Sequence, residues 1–199
     1  MVFRKALSRK VLPLIAAVFA VAGNAAQADW QLDGSSSSFF YVTNKAAAVS
    51  EVNSFSGLSG SISDAGVATL SIDLATVDTA IDIRNQRMRD IVFQVAQFPK
   101  AEVSVTVDVE AMKAMKAGIG STGSYPVSVS LHGVKAEMTA DLQVIKLDAT
   151  TLQVQLARPL IVAADKFGLA AGVEELRTVA NLPSITPNVV VDFTLVYRE

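Results

Sequence analysis

The feature that most constrains this chain is an alternation of apolar and polar residues that recurs in segment after segment. Within residues 101–110, Val103, Val105, Val107 and Val109 alternate with Glu102, Ser104, Thr106 and Asp108. Within residues 135–144, Ala136, Met138, Ala140, Leu142 and Val144 alternate with polar neighbours. Leu70, Ile72 and Leu74 do the same over residues 69–74. Tyr125, Val127, Val129 and Leu131 form a further stripe, as do Val189, Val191, Phe193, Leu195 and Tyr197. A period of two places every second side chain on one face of an extended strand. Residues 39–44, 49–61 and 151–163 read as further strands. One apolar and one polar face per strand is the habit of an antiparallel sheet, dry on one side and wet on the other. About eight such strands with few helices predict an all-β barrel or sandwich.

Glycine punctuates these runs. Gly57 and Gly60 interrupt the segment 49–61 and predict bends or bulges. Asp64-Ala65-Gly66 reads as a hairpin turn, and residues 116–123, with three glycines, as a longer loop. Two stretches switch to helical spacing. In residues 81–98 the apolar positions are Met88, Ile91, Val92 and Val95; in residues 172–182 they are Val173, Leu176, Val179 and Ala180, closed by Pro183. Both predicted helices are short and amphipathic, so they belong outside the sheet or across an open end of a barrel.

The N-terminus has a different composition. Arg4, Lys5, Arg9 and Lys10 precede an apolar run over residues 11–22, and Ala26-Gln27-Ala28 follows it. This order predicts a secretory signal peptide over residues 1–28, cut after Ala28, with export to the periplasm. The run is shorter than the ~20 residues that span a bilayer. Residues 29–199 then form one domain. Loss of the four basic residues takes the formal charge from −2 to −6, which argues against a nucleic-acid partner.

Composition narrows the chemistry. The absence of Cys excludes disulfides, thiolate metal sites and a cysteine nucleophile. His132 is the only histidine, so no site needs two imidazoles. There is no G-x-S-x-G elbow, phosphate loop or calcium loop. No catalysis, cofactor or metal is expected. Aromatic residues, at 7%, are too few for the girdles of a membrane-inserted barrel. What remains are the apolar strand faces. Leu70, Ile72, Leu74, Val103, Val105, Val107, Val127, Val129, Met138, Leu142, Phe193 and Leu195 are predicted to line one elongated interior. An eight-stranded barrel is just wide enough to be filled by side chains or to hold one small ligand. Small lining residues favour the second outcome. Arg84 and Arg87 are candidates for a ligand's polar headgroup, or else pair locally with Asp82 and Asp90. His132, ahead of Gly133 at a strand end, is either a headgroup donor or a turn support.

Short motifs along the chain resemble those of the YceI-like family. Trp30-Gln31-Leu32-Asp33 with Ser37 resembles that family's W-x-L-D…S opening. Phe55-Ser56-Gly57-Leu58-Ser59-Gly60 is similar to its F-x-G-x-x-G second strand. Residues 83–88 with Phe98-Pro99 resemble the helix after the third strand and the F/Y-P that opens the next. Leu131-His132-Gly133-Val134 resembles the L-x-L-H-G strand end, and Lys166-Phe167-Gly168-Leu169 the D-F-G-L element. The resemblance implies an extended, lipocalin-like eight-stranded antiparallel β-barrel with one or two short amphipathic helices. It also implies a periplasmic, non-catalytic carrier whose partner is a long-chain lipid: a polyisoprenoid, an isoprenoid quinone or a fatty-acid derivative. A homodimer is left open. Where many members carry R-D-x-H-L, this chain has Asn85 for Asp, Arg87 for His and Met88 for Leu, and Lys166 stands for the Asp of D-F-G-L. A headgroup role for those residues therefore does not carry over. The competing expectations are a cell-envelope stress or adhesion factor with a filled barrel, and a barrel enzyme acting on a hydrophobic substrate.

Overall fold

The computed structural model describes residues 28–199; the predicted signal segment, apart from Ala28, lies outside them. Alternation becomes a run of antiparallel strands: β1 (Ala28–Leu32), β2 (Ser38–Lys45), β3 (Val49–Phe55), β4 (Leu58–Ser59), β5 (Ser61–Ser63), β6 (Val67–Asp73), β7 (Val77–Asp78), β8 (Lys100–Thr106), β9 (Gly120–Leu131), β10 (Val134–Lys146), β11 (Thr151–Leu156), β12 (Leu160–Ala163) and β13 (Asn188–Arg198). Eight of them, in the order β1-β5-β6-β8-β9-β10-β11-β13, form a closed ring. Closure comes from β1, which pairs with β5 on one side and β13 on the other. The C-terminal half of β13 pairs with β11 and β1, and its N-terminal half with β12 and β2. β2, β3 and β7 extend the sheet from there.

Glycine breaks the strands where the alternation alone reads them as continuous. The segment 49–61 runs as β3, β4 and β5. A Cβ on Gly60 would stand 2.1 Å from the Thr69 carbonyl oxygen, and one on Gly57 2.7 Å from Asp73 Cβ. Both positions need glycine for close approach of a neighbouring segment. The segment 151–163 divides into β11 and β12 around Arg158 and Pro159.

Local caps shorten two predicted strands. β6 ends at Asp73, whose carboxylate accepts from Ala75 N at 3.0 Å and starts a 3-10 turn over Leu74–Thr76. The strand predicted over 101–110 ends at Thr106, because Asp108 accepts from Ala111 N at 2.9 Å and caps a helix. Val109 is therefore helical, against expectation. Residues 120–123, read as loop, instead pair with β10, from Gly120 opposite Ile145 to Gly123 opposite Leu142.

The helices are α1 (Asp82–Arg87), α2 (Val109–Ala114) and α3 (Ala170–Val179). α1 continues into a π turn, Met88–Val92, in which Phe93 N donates to the Met88 carbonyl at 2.9 Å. Residues 93–98 are not helical. α3 packs on the π turn through Gly172, where a Cβ would lie 2.7 Å from the Ile91 carbonyl oxygen. The α1–π segment precedes β8 and α2 follows it, so the two helical plugs occupy opposite ends of the barrel. α2 lies beside the buried Trp30, with Lys113 Nζ 5.8 Å from its ring centroid.

Candidate functional site

The barrel is not filled by its own side chains. Its interior holds a cavity of about 260 Å³. All twelve residues predicted to line the interior border it. Leu70 and Ile72 come from β6, Val103 and Val105 from β8, Val127 and Val129 from β9, Met138 and Leu142 from β10, and Phe193 and Leu195 from β13. Leu74 and Val107 lie just past the ends of their strands and still face inward. Strand register sets these residues in transverse rows. Val105 is opposite Ala68 on one side and Val127 on the other; Val103 is opposite Leu70 and Val129.

Apolar side chains border the cavity at both ends. Met88, Val92 and Phe93 from the α1–π segment, with Leu169, Val173 and Leu176 from around α3, border one end of the cavity; Met112 of α2 borders the other. The apolar stripes of the two predicted helices had marked Met88, Val92, Val173 and Leu176 of the first group, but not Phe93 or Leu169. Nothing in the alternation pointed to α2. The lining also includes Phe39, Tyr41 and Phe55 from β2 and β3, where only strands and no inward face had been assigned.

No charged side chain borders the cavity among the described residues. Its polar groups are hydroxyls: Thr43, Thr69, Thr186, Tyr41, Tyr125 and Tyr197. Burial pushes the Tyr41 and Tyr197 hydroxyls well above the usual tyrosine range, so both stay protonated. Among the described residues no cluster of three or more His, Asp or Glu is arranged to hold a metal ion.

The three polar candidates lie outside this lining. Arg84 does not pair with Asp82 or Asp90. Its Nη1 meets Glu51 Oε2 at 2.6 Å, its Nη2 donates to the Thr79 carbonyl, and its Nε is buried without a partner. Glu51 also holds Lys45 at 2.9 Å. The hydrogen bond from Arg84, with Lys45 adding to it, keeps the Glu51 carboxyl below its ordinary range despite partial burial. Asn85 accepts from Thr79 N at 2.7 Å and Thr79 Oγ1 at 2.6 Å. Arg87 is half-buried at the end of α1 and does not border the cavity. His132 and Gly133, both with positive φ (52° and 76°), make the two-residue turn between β9 and β10. The His132 ring sits 4.4 Å from that of Phe98, and its Nε2 is buried without a partner. Lys166 donates to the Glu137 carbonyl at 2.8 Å, tying the turn before α3 to β10.

A closed antiparallel barrel with helical plugs and an apolar interior is the architecture of a hydrophobic-cavity domain. The YceI-like domain matches residues 30–197, and the chain belongs to the YceI-like family. It is similar to a polyisoprenoid binding domain from Saccharophagus degradans implicated in plant cell wall breakdown. The two are 40% identical, the match covers 86% of this chain and 99% of that one, and the TM-score is 0.85. BcnA of Burkholderia cenocepacia shares the fold at 18% identity, over 83% of this chain and 98% of that one, with a TM-score of 0.62. No curated protein sequence matches this chain.

Proposed function

We propose that this protein is a non-catalytic carrier that holds a long-chain amphiphile in its barrel: a polyisoprenoid, an isoprenoid quinone or a fatty-acid derivative. The observation that carries the reading is a cavity inside the barrel bordered, among the described residues, by aliphatic, aromatic and hydroxyl groups and by no charge. Such a lining rewards apolar contact. Ten buried methylenes are worth about 8 kcal/mol before ordering costs. The polyisoprenoid-binding description of the 40% identical relative supports the same class of ligand. The volume, about 260 Å³, is a little below the ~300 Å³ at which small-molecule sites usually begin. A long chain is then held in part, with the remainder extending past one end of the barrel.

The N-terminal signature supports export to the periplasm, with the mature chain starting at Asp29. N-terminal sequencing of periplasmic protein tests this, and material still starting at Met1 or Val2 would overturn it. The ligand reading is tested by native mass spectrometry of protein purified without detergent, followed by organic extraction. A bound species with the mass of a long-chain lipid is expected. Protein that carries no lipid and takes up no farnesol would overturn it.

A further inference from the structure

The two ends of the cavity are built differently. At one end α2 is fastened to three other parts of the chain. Lys113 Nζ meets Asp64 Oδ1 at 3.0 Å and lies over the Trp30 ring, and the Lys113 carbonyl accepts from Lys146 Nζ at 2.8 Å. Asp64 belongs to the turn between β5 and β6, Trp30 to β1 and Lys146 to β10. Just ahead of α2, Val107 N donates to the Gly66 carbonyl of the same turn at 2.8 Å. Val109 and Met112 are the buried side chains of the helix, and of the two only Met112 borders the cavity.

The opposite end carries the backbone strain. Among the described residues, six other than glycine have positive φ: Ala46, Ala47, Ala80, Gln94, His132 and Asn181. Ala80 and Gln94 flank the α1–π segment, Asn181 follows α3, and His132 is in the turn between β9 and β10. Ala46 and Ala47 lie in the β2–β3 turn, joined to α1 through the Glu51–Arg84 pair. None of the six is at the α2 end. The π turn is also at the strained end. Backbone of this kind is costly and gathers where a fold adapts to a ligand. A cavity fastened at one end and strained at the other has the makings of a floor and a mouth.

We propose that α2 is the floor of the cavity and that Met112 sets how far the apolar end of the ligand reaches, so that this residue selects ligands by chain length. This rests on the carrier reading above and concerns the same cavity. A chain entering at the α1–π end advances until its terminal methyl groups meet the Met112 side chain, and the remainder extends past the mouth. Each carbon drawn out of water adds affinity, and each carbon left outside adds none. Affinity therefore rises with chain length until the barrel is full, and a deeper floor moves that point. Truncating Met112 deepens the floor without touching the polar ties that hold α2, which run through Asp108 and Lys113.

The test uses geraniol, with two isoprene units, and geranylgeraniol, with four. Geraniol is shorter than the barrel wall, since the seven residues of β8 span about 23 Å. Affinities are read by displacement of a neutral naphthylamine reporter. Met112→Ala is expected to raise the preference for geranylgeraniol over geraniol about tenfold, somewhat less than full burial of the few extra chain carbons would give. Met88→Ala makes the same truncation at the mouth and should leave that preference unchanged or lower it. Met112→Val, a milder truncation expected to give about a threefold rise, carries the test if Met112→Ala has a reduced folded fraction by circular dichroism. If wild type binds both probes, an unchanged preference in the Met112 variants, or an equal rise in Met88→Ala, would overturn the floor assignment and leave the carrier reading standing. If neither probe displaces the reporter from wild type, the carrier reading fails and this inference falls with it.

Discussion

Placing one carboxylate in the cavity separates a ligand-lined interior from an ordinary core. Val105 is central in β8, flanked by Ala68 and Val127, and borders the cavity. In Val105→Asp no cation in the lining is available to pair with the introduced carboxylate. The unliganded cavity, at about 260 Å³, has room for water, which hydrates the charge and limits the cost to folding. An isoprenoid chain expels that water. The bound form must then neutralise the carboxyl. From an ordinary Asp pKa of about 3.9, protonation at about pH 7 costs about 1.36 kcal/mol per unit, or about 4 kcal/mol in all. That is about a thousandfold in affinity. The ligand-bound pKa is raised, so binding strengthens as pH falls toward the unliganded value. The affinity of Val105→Asp should improve about tenfold per pH unit between about pH 7 and pH 5, and that of wild type should stay flat. Calorimetric titration with farnesol, at equal folded fraction by circular dichroism, reads both. Val105→Asn removes the charge but not the polarity and should show no slope. Glu102→Ala, exposed on the same strand, should change stability by less than about 0.5 kcal/mol and binding not at all. Undiminished affinity in Val105→Asp at neutral pH, or a loss without the pH slope, would refute the reasoning.

Three further outcomes follow from the geometry. Phe167 is fully buried in the turn before α3, so Phe167→Ala should lose about 3–5 kcal/mol in urea unfolding; a loss under about 1 kcal/mol would show that this turn is not anchored as described. Gly60→Ala drives a methyl against the Thr69 carbonyl and should cost about 1–3 kcal/mol, with a wild-type melting temperature counting against the close approach of Gly60 to β6. Glu51 is held below its ordinary pKa chiefly by Arg84, so its contribution is complete above about pH 4.3 and lost as pH falls through the lowered value. The stability gap between wild type and Glu51→Gln, about 1 kcal/mol at neutral pH, should therefore narrow as the pH falls below the ordinary glutamate value of about 4.3; a gap that stays constant on acidification would assign the pair no role.

Period-two patterning is a local property, and what it determines is which face each side chain takes. For that reason the twelve predicted lining residues come together around one space, although they sit on five separate stretches of chain. Even Leu74 and Val107, placed beyond the strands by the Asp73 and Asp108 caps, keep their inward direction. The helical stripes at Met88, Val92, Val173 and Leu176 were equally readable, because amphipathic spacing identifies the buried side of a helix wherever the helix docks. The tertiary structure decided what those faces meet. Arg84 read as a headgroup cation or a local partner of Asp82 or Asp90, but its partner Glu51 lies 33 residues away and is brought to it only by β3. His132 looked like a possible ligand group, but the two-residue turn and the Phe98 ring hold it outside the lining. Tyr41 had no distinguishing mark in the sequence. Whether its hydroxyl finds a partner is a property of every segment packed around it.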